Sequence, residues 1–358
     1  MAKQPTVADC FTARRGASGF EYLRLLLALA VLAFHCMTVT HGVAGENYIW
    51  SAWWRGLNAL VLPMFFAMSG FLLAANLDRG SPRAFVMGRI ARLGPALLAV
   101  VALCAFVLGP LISELSLMEY LRSPMLWRYF LNLVGWSQWS LPGAFAHNPT
   151  PDIVNLPLWT LPYQFVGYAL LLAAGCLGLT RSWGYLLAAQ FSLHAMFTAR
   201  DWASYQSAPF EEMPPKFLVL TFLYGVCLYV GREGIRLTRA RTALAFALAF
   251  ALSSFPQSVH LAPLPVAYAT VSLGLWNPPR IWLVGDRDLA YGIYLYAFPL
   301  QQTAILLWPS LSTAAMLALA VPAALLSAMF SYHFIEKPCM GLLKERRAPR
   351  WASRTVGV

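Results

Sequence analysis

The residues best placed to do chemistry stand in the first apolar run, "FEYLRLLLALAVLAFH", residues 20–35. It holds Glu21 and Arg24 near its start and His35 at its far end. Arg24 and His35 are eleven steps apart. At roughly 100° per residue these make three turns plus about 20°, so both side chains share one helix face, roughly 16 Å apart along the axis. Glu21 is three residues before Arg24 and lies near the same face. An ionisable residue inside an apolar run is costly and is a functional candidate by default. Histidine acts as a general base near neutral pH, and burial favours the neutral form that accepts a proton. A cation on the same helix could hold an anion, giving a base at one end and an anion site at the other. The plainer alternative is a Glu21/Arg24 anchor pair with His35 as a hydrogen-bonded packing residue. A second constellation follows in "RIARLGP", residues 89–95. Arg89 and Arg92, three apart, are neighbours on one helical face, and paired guanidiniums suit phosphate. Orientation of the chain in a bilayer would also account for them.

The elements that must position these groups are apolar helices. Of the 358 residues 59% are hydrophobic and 11% charged, with a mean hydropathy of +0.59. An ordinary soluble domain is about a quarter charged. Runs near the roughly 20 residues needed to cross a bilayer recur, without the alternation of a membrane barrel. The sequence predicts an all-α integral membrane protein. Ten spans are expected near 22–40, 57–77, 93–112, 158–179, 183–199, 216–231, 242–257, 264–278, 289–308 and 312–334, the seventh and eighth being the weakest. The first is read as an uncleaved span, because "THGVAGE" is a poor cleavage site. The expected layout is a tail over 1–20, one membrane domain over 21–338 and a basic tail over 339–358.

The net charge of +11 sits in short clusters between apolar runs, which argues against nucleic acid as a partner. The basic clusters of the N-terminal tail, "DRGSPRAFVMGRIAR", "GREGIRLTRAR" and the C-terminal tail fall on one side if the spans number ten. The positive-inside rule makes that side, and both termini, cytoplasmic. The expected location is a bacterial inner membrane. Six scattered cysteines give neither a disulfide framework nor zinc-ligand spacing. The long connection from about Ser113 to Pro157 is rich in Trp and Pro, and "MLWRYFLNLVGW" predicts an amphipathic interfacial helix. It reads either as an interfacial anchor or as part of a cleft whose aromatics stack on sugars.

Taken in order, "FEYLRLLLALAVLAFH", "MFFAMSGFLLA", "RIARLGP", "LPLWTLPYQFVGYAL", "LAYGIYLYAFPLQQ" and "FIEKP" resemble the membrane acyltransferase-3 family over about residues 20 to 338. The resemblance implies a ten-helix core that transfers an acyl group from cytoplasmic acyl-CoA to an extracytoplasmic glycan. No bound cofactor or metal is implied, and acyl-CoA is a co-substrate. His35 would be the central catalytic residue, with Arg24 its helix-mate and Glu21 beside it, while Arg89 and Arg92 would hold the donor. Trp159, Tyr163, Gln164, Tyr168 and Tyr291 are acceptor-site candidates. Acetyl is the expected group and succinyl the main variant. Partners would be the lipid bilayer, acyl-CoA, a glycan or polysaccharide acceptor and the polysaccharide biosynthesis machinery. Direct transfer and an acyl-enzyme both stay open. Two departures stand out. Gln164 stands where the family usually has glutamate, and Ala297 where many relatives have histidine. Ser69 and Gly70 read as close-packing residues, and Glu336 as an ion-pair partner for a nearby arginine. A transporter or flippase of a glycan or lipid intermediate is the competing reading, weakened by the lack of inverted repeats. A degenerate relative acting as a sensor or scaffold is a third.

Overall fold

The structure, a computed structural model, describes residues 4–13, 18–207, 214–281, 284 and 288–345. Among these residues it is helical, with no strand beyond two isolated bridges. Ten helices answer to the ten apolar runs: α1 (Ser18–His41), α2 (Arg55–Asp78), α3 (Pro82–Leu103), α4 (Leu161–Cys176), α5 (Trp183–Ser207), α6 (Pro215–Val230), α7 (Arg239–Ser253), α8 (Pro263–Gly274), α9 (Leu289–Leu307) and α10 (Thr313–Ser331).

Five of these segments are long and apolar enough to cross a bilayer: Ser18–His41, Arg55–Asp78, Pro82–Ile112, Leu156–Cys176 and Thr313–Gly341. Ten crossings therefore do not follow from length and composition. Helices α7 and α8, with 15 and 12 residues, rise only about 22 and 18 Å, short of a hydrocarbon core of about 30 Å. Helix α9 has the length, but Gln301 and Gln302 make it more polar.

Helix α2 is the most buried of the five. It packs against α6 so closely that only glycine fits at two points. A Cβ on Gly70 would stand 1.9 Å from the Phe222 carbonyl oxygen, and one on Gly225 2.1 Å from that of Ala67. Small residues allow such approach where lipid gives helices no hydrophobic drive to associate. Gly70 is thus a packing residue, while its neighbour Ser69 faces a cavity.

The start of α1 is tied to the segment after α8. Gly19 N–H donates to the Trp276 carbonyl (3.0 Å), and Ser18 N–H to Asn277 Oδ1 (3.1 Å). The N-terminal stretch is also anchored. A short helix, Val7–Ala13, donates from Val7 N–H to the Ile235 carbonyl and from Ala8 N–H to that of Arg232. Most of the C-terminal tail lies outside the described residues.

The long connection is helical over the stretch expected as one amphipathic helix, residues 125–136, but passes there from α to 3-10 geometry. It holds two short helices, Leu117–Arg122 and Pro124–Arg128, and a 3-10 turn over Tyr129–Val134. The break between the two short helices, ahead of that stretch, has a local cause. Ser123 precedes Pro124, which disfavours the helical region at that residue, and it is extended at φ −65°, ψ 128°. Gly135 then ends the turn at φ +80°. Amide side chains fix the rest of the connection to α9. Gln302 Nε2 donates to the carbonyls of Thr150 (2.7 Å) and Ile153 (2.6 Å), and Asn155 Nδ2 donates to that of Leu295 (3.0 Å). Thr150 Oγ1 donates to the Thr38 carbonyl on α1 (2.8 Å). The connection is therefore held over the end of α1 that bears His35.

Replacing Gly70 by valine forces α2 from α6. The expected loss is at least the 1–3 kcal/mol typical of overpacking, roughly. It should appear as a lower melting temperature of the detergent-solubilised protein, with Gly88→Val, whose surroundings are open, as control.

Candidate functional site

Two cavities lie along α1 and α2. The first, about 910 Å³, is lined by His35 with Trp50, Trp136, Trp139, Trp159 and Tyr163. The second, about 380 Å³, is lined by Arg24, Arg89, Arg92 and Asp288 with Gln164 and Tyr168. We call them the tryptophan cavity and the arginine cavity. One face of α2 runs along both. Asn58 and Leu62 line the first, and Leu62, Phe65, Ser69, Leu72 and Asn76 the second. Their spacing of four, three, four, three and four residues keeps one helical stripe. Leu62, Phe65, Ser69 and Leu72 are half-buried, while their neighbours on the other faces of α2 are mostly buried.

Helix α1 reaches both cavities in the same way. Arg24 lines the arginine cavity and His35 the tryptophan cavity, as a shared face with roughly 16 Å between them requires. The His35 ring meets Phe298 of α9 edge-on, with centroids 5.2 Å apart. Among the described residues no protein group hydrogen-bonds the imidazole, so its nitrogens are left for what enters the cavity. Beside it, buried Gln301 donates from Nε2 to the Leu32 carbonyl (2.8 Å) and to Cys36 Sγ (3.1 Å). This fixes α1 against α9 one turn from His35. Ala297 is buried in that same contact.

The arginine cavity is organised by a chain of ion pairs. Arg24 Nη1 stands 3.0 Å from Asp288 Oδ2, and Arg92 Nη2 stands 2.5 Å from the same oxygen. Arg92 Nη1 reaches Glu336 Oε2 at 3.2 Å. Glu336, 1% exposed, accepts from Ser331 Oγ at 3.1 Å. Burial would raise the Asp288 carboxyl, but the Arg24 and Arg92 guanidiniums outweigh it and hold its pKa below the usual carboxylate range. Glu336 sits in a π-helical turn, Tyr332–Glu336, that continues α10; such turns are frequent at functional sites. Arg89 differs from its neighbours. Among the described residues it makes no ion pair, its Nε is buried without a hydrogen-bond partner, and the Tyr168 hydroxyl lies beside it. Among the described residues, three guanidiniums against two carboxylates leave the group one positive charge in excess.

The expected acceptor-site residues divide between the two cavities. Trp159 and Tyr163 join His35, whereas Gln164, Tyr168 and Tyr291 join the arginines. Tyr291 donates to the Leu93 carbonyl at 3.0 Å, and Gln164 Nε2 is buried without a partner. Glu21 lines neither cavity and pairs with Arg280 at 3.2 Å instead of Arg24. Asp288 is a site residue that the sequence analysis does not single out, because it stands in a connection of balanced charge, with Arg280 and Arg287 against Asp286 and Asp288. Its position at the start of α9 was the available signal, as carboxylates favour helix N-termini. No group of three or more His, Cys, Asp or Glu side chains among the described residues could hold a metal ion.

Arginines in one cavity and a histidine in the next can hold an anion and move a proton near it. No solved structure matches the chain. The chain is 24% identical to an O-acetyl transferase of Shigella phage Sf6 over 295 residues, 80% of this chain and 85% of the phage protein. A family profile described as an acyltransferase domain matches residues 18–333. The chain is a membrane protein of the acyltransferase-3 family.

Proposed function

We propose that the protein is an acyl-CoA-dependent O-acyltransferase of a glycan. In this reading the arginine cavity takes the donor from the cytoplasm, and the tryptophan cavity takes the acceptor from the opposite side. The observation that carries the reading is the meeting of the two cavities along one face of α1 and one of α2. The excess guanidinium charge, with Arg89 unpaired, suits the CoA phosphates. The tryptophans suit the apolar faces of sugar rings. The phage relative is named an O-acetyl transferase, which supports acetyl as the group carried here. Basic clusters at both ends of the chain support cytoplasmic termini in a bacterial inner membrane.

The chemistry follows from the residues. A sugar hydroxyl is a weak nucleophile at neutral pH. His35, in its neutral form, accepts the hydroxyl proton as the oxygen bonds to the acyl carbon. The carbon–sulfur bond breaks and the CoA thiolate leaves, taking the proton back from the imidazolium. Arg24, Arg89 and Arg92 act at the other end of the donor, where they hold charge. Asp288 and Glu336 position Arg24 and Arg92.

Three substitutions test the assignment in membranes supplied with acetyl-CoA and an acceptor extract, with thiol release as readout. His35→Ala should lower turnover by about 10²–10⁴-fold while CoA still binds; full activity in that variant sinks the base assignment. Arg89→Ala should raise KM for acetyl-CoA by about 10–100-fold, as for loss of a charged hydrogen bond, with little change in kcat. Asp288→Asn leaves Arg24 and Arg92 without their shared carboxylate. It should lower stability by up to about 3 kcal/mol, reducing the melting temperature and weakening CoA binding together.

A further inference from the structure

Among the described residues, Leu62 of α2 and Tyr294 of α9 alone line both cavities. They mark the point where the two spaces touch. Tyr294 is held there. Its hydroxyl donates to the Pro157 carbonyl at 2.6 Å, leaving the buried Thr160 hydroxyl to donate to the Tyr294 oxygen, also at 2.6 Å. Pro157 and Thr160 stand just before α4, so α9 is latched to the end of the long connection at this level. Leu62 packs with Phe65 and Tyr294 against the Val31 side of α1, one helical turn from His35.

The charges around this junction are one-sided. The three arginines line the arginine cavity and none lines the tryptophan cavity, where Glu46 is the one acidic residue among the lining side chains. Around the junction itself the walls are Leu62, Phe65, Leu161 and Tyr294.

We infer that the Leu62–Tyr294 junction is the site of the acyl group, and that it admits a short, uncharged acyl chain. This rests on the transfer reading above. A donor anchored through its phosphates at the arginines extends its pantetheine arm along the α2 stripe toward His35. Its thioester must stop where the acceptor hydroxyl can reach it, which is the wall shared by both cavities. Leu62 and the latched Tyr294 ring then limit chain length. A terminal carboxylate, as in succinyl, would lie among these side chains beside a His35 kept neutral to act as base, with the arginines taken by the donor's phosphates, and burying an unpaired charge is strongly unfavourable.

The test compares acetyl-CoA, butyryl-CoA and succinyl-CoA with the purified protein in lipid nanodiscs. The acceptor is a glycan extract from the producing cells; thiol release is followed, and binding of free CoA is measured separately. The native protein should prefer acetyl over each of the others by at least about tenfold in kcat/KM, within the range that one or two methylenes command in an apolar pocket. Leu62→Ala should shrink the acetyl-to-butyryl ratio by about tenfold while succinyl stays poor. Leu62→Val should shift the same ratio less, and serves if the alanine variant does not insert. A Leu62 variant that binds CoA normally and keeps the native ratio overturns the assignment, as does a native protein that uses all three donors equally. Native protein that releases no thiol from any donor overturns the transfer reading itself, and the junction with it.

Discussion

The structure depends first on the chain of charges Arg24–Asp288–Arg92–Glu336. It joins α1, α3, the start of α9 and the turn that continues α10, elements that otherwise meet mostly through apolar contacts and a few single hydrogen bonds such as those of Gln301 and Tyr291. Charges removed from water gain little net stability from pairing, but losing one partner of a buried pair is costly, about 3–5 kcal/mol. The network therefore acts as a register. It fixes where Arg24 sits, and α1 is rigid, so it also fixes where His35 arrives three turns away. Nothing hydrogen-bonds the His35 ring among the described residues. Its position is set from below by the ion pairs, from one side by Gln301 on the Leu32 carbonyl, and from the edge by Phe298.

Helix α2 does the complementary work. One face, at Gly70, is closed onto α6, and the stripe from Asn58 to Asn76 is left to line the two cavities. The tight face is what allows the open one. A helix pressed backbone to backbone against α6 cannot rotate, so the stripe keeps its heading over about 27 Å, eighteen residues at 1.5 Å each. The amide staples from Gln302 and Asn155 hold the long connection over the same end of the bundle. The tryptophan cavity thus has a fixed roof as well as a fixed wall.

What could be read in the sequence was what helix periodicity carries. The shared face of Arg24 and His35 and the adjacency of Arg89 and Arg92 follow from 3.6 residues per turn, and the places of the ten helices from the apolar runs. What could not be read was tertiary. Arg92 and Glu336 are 244 residues apart, and only folding brings them together. Asp288 carries no sequence signal beyond its place at the start of α9. Glu21 shares a face with Arg24, yet it turns to Arg280, because an ion pair goes to the nearest available partner and not to the nearest in sequence. The five candidates Trp159, Tyr163, Gln164, Tyr168 and Tyr291 looked like one set, but helix rotation sends them to two cavities. The segment expected as one interfacial helix is helical, but it passes from α to 3-10 at Tyr129 and ends at Gly135, a change that amphipathic patterning does not register.

Gln164 gains meaning from this charge count. The family resemblance leads one to expect a glutamate there, in the cavity that holds Arg24, Arg89 and Arg92. A carboxylate at that position would bring three acidic groups against three guanidiniums and give Arg89 a counter-ion. The amide does not, and its own Nε2 is left without a partner. Among the described residues the cavity consequently keeps one uncompensated positive charge, which favours an anionic guest. The substitution does not touch the proposed base, since His35 sits in the other cavity. It alters how firmly the arginine cavity holds an anion, and leaves the proton-transfer end of α1 as it was.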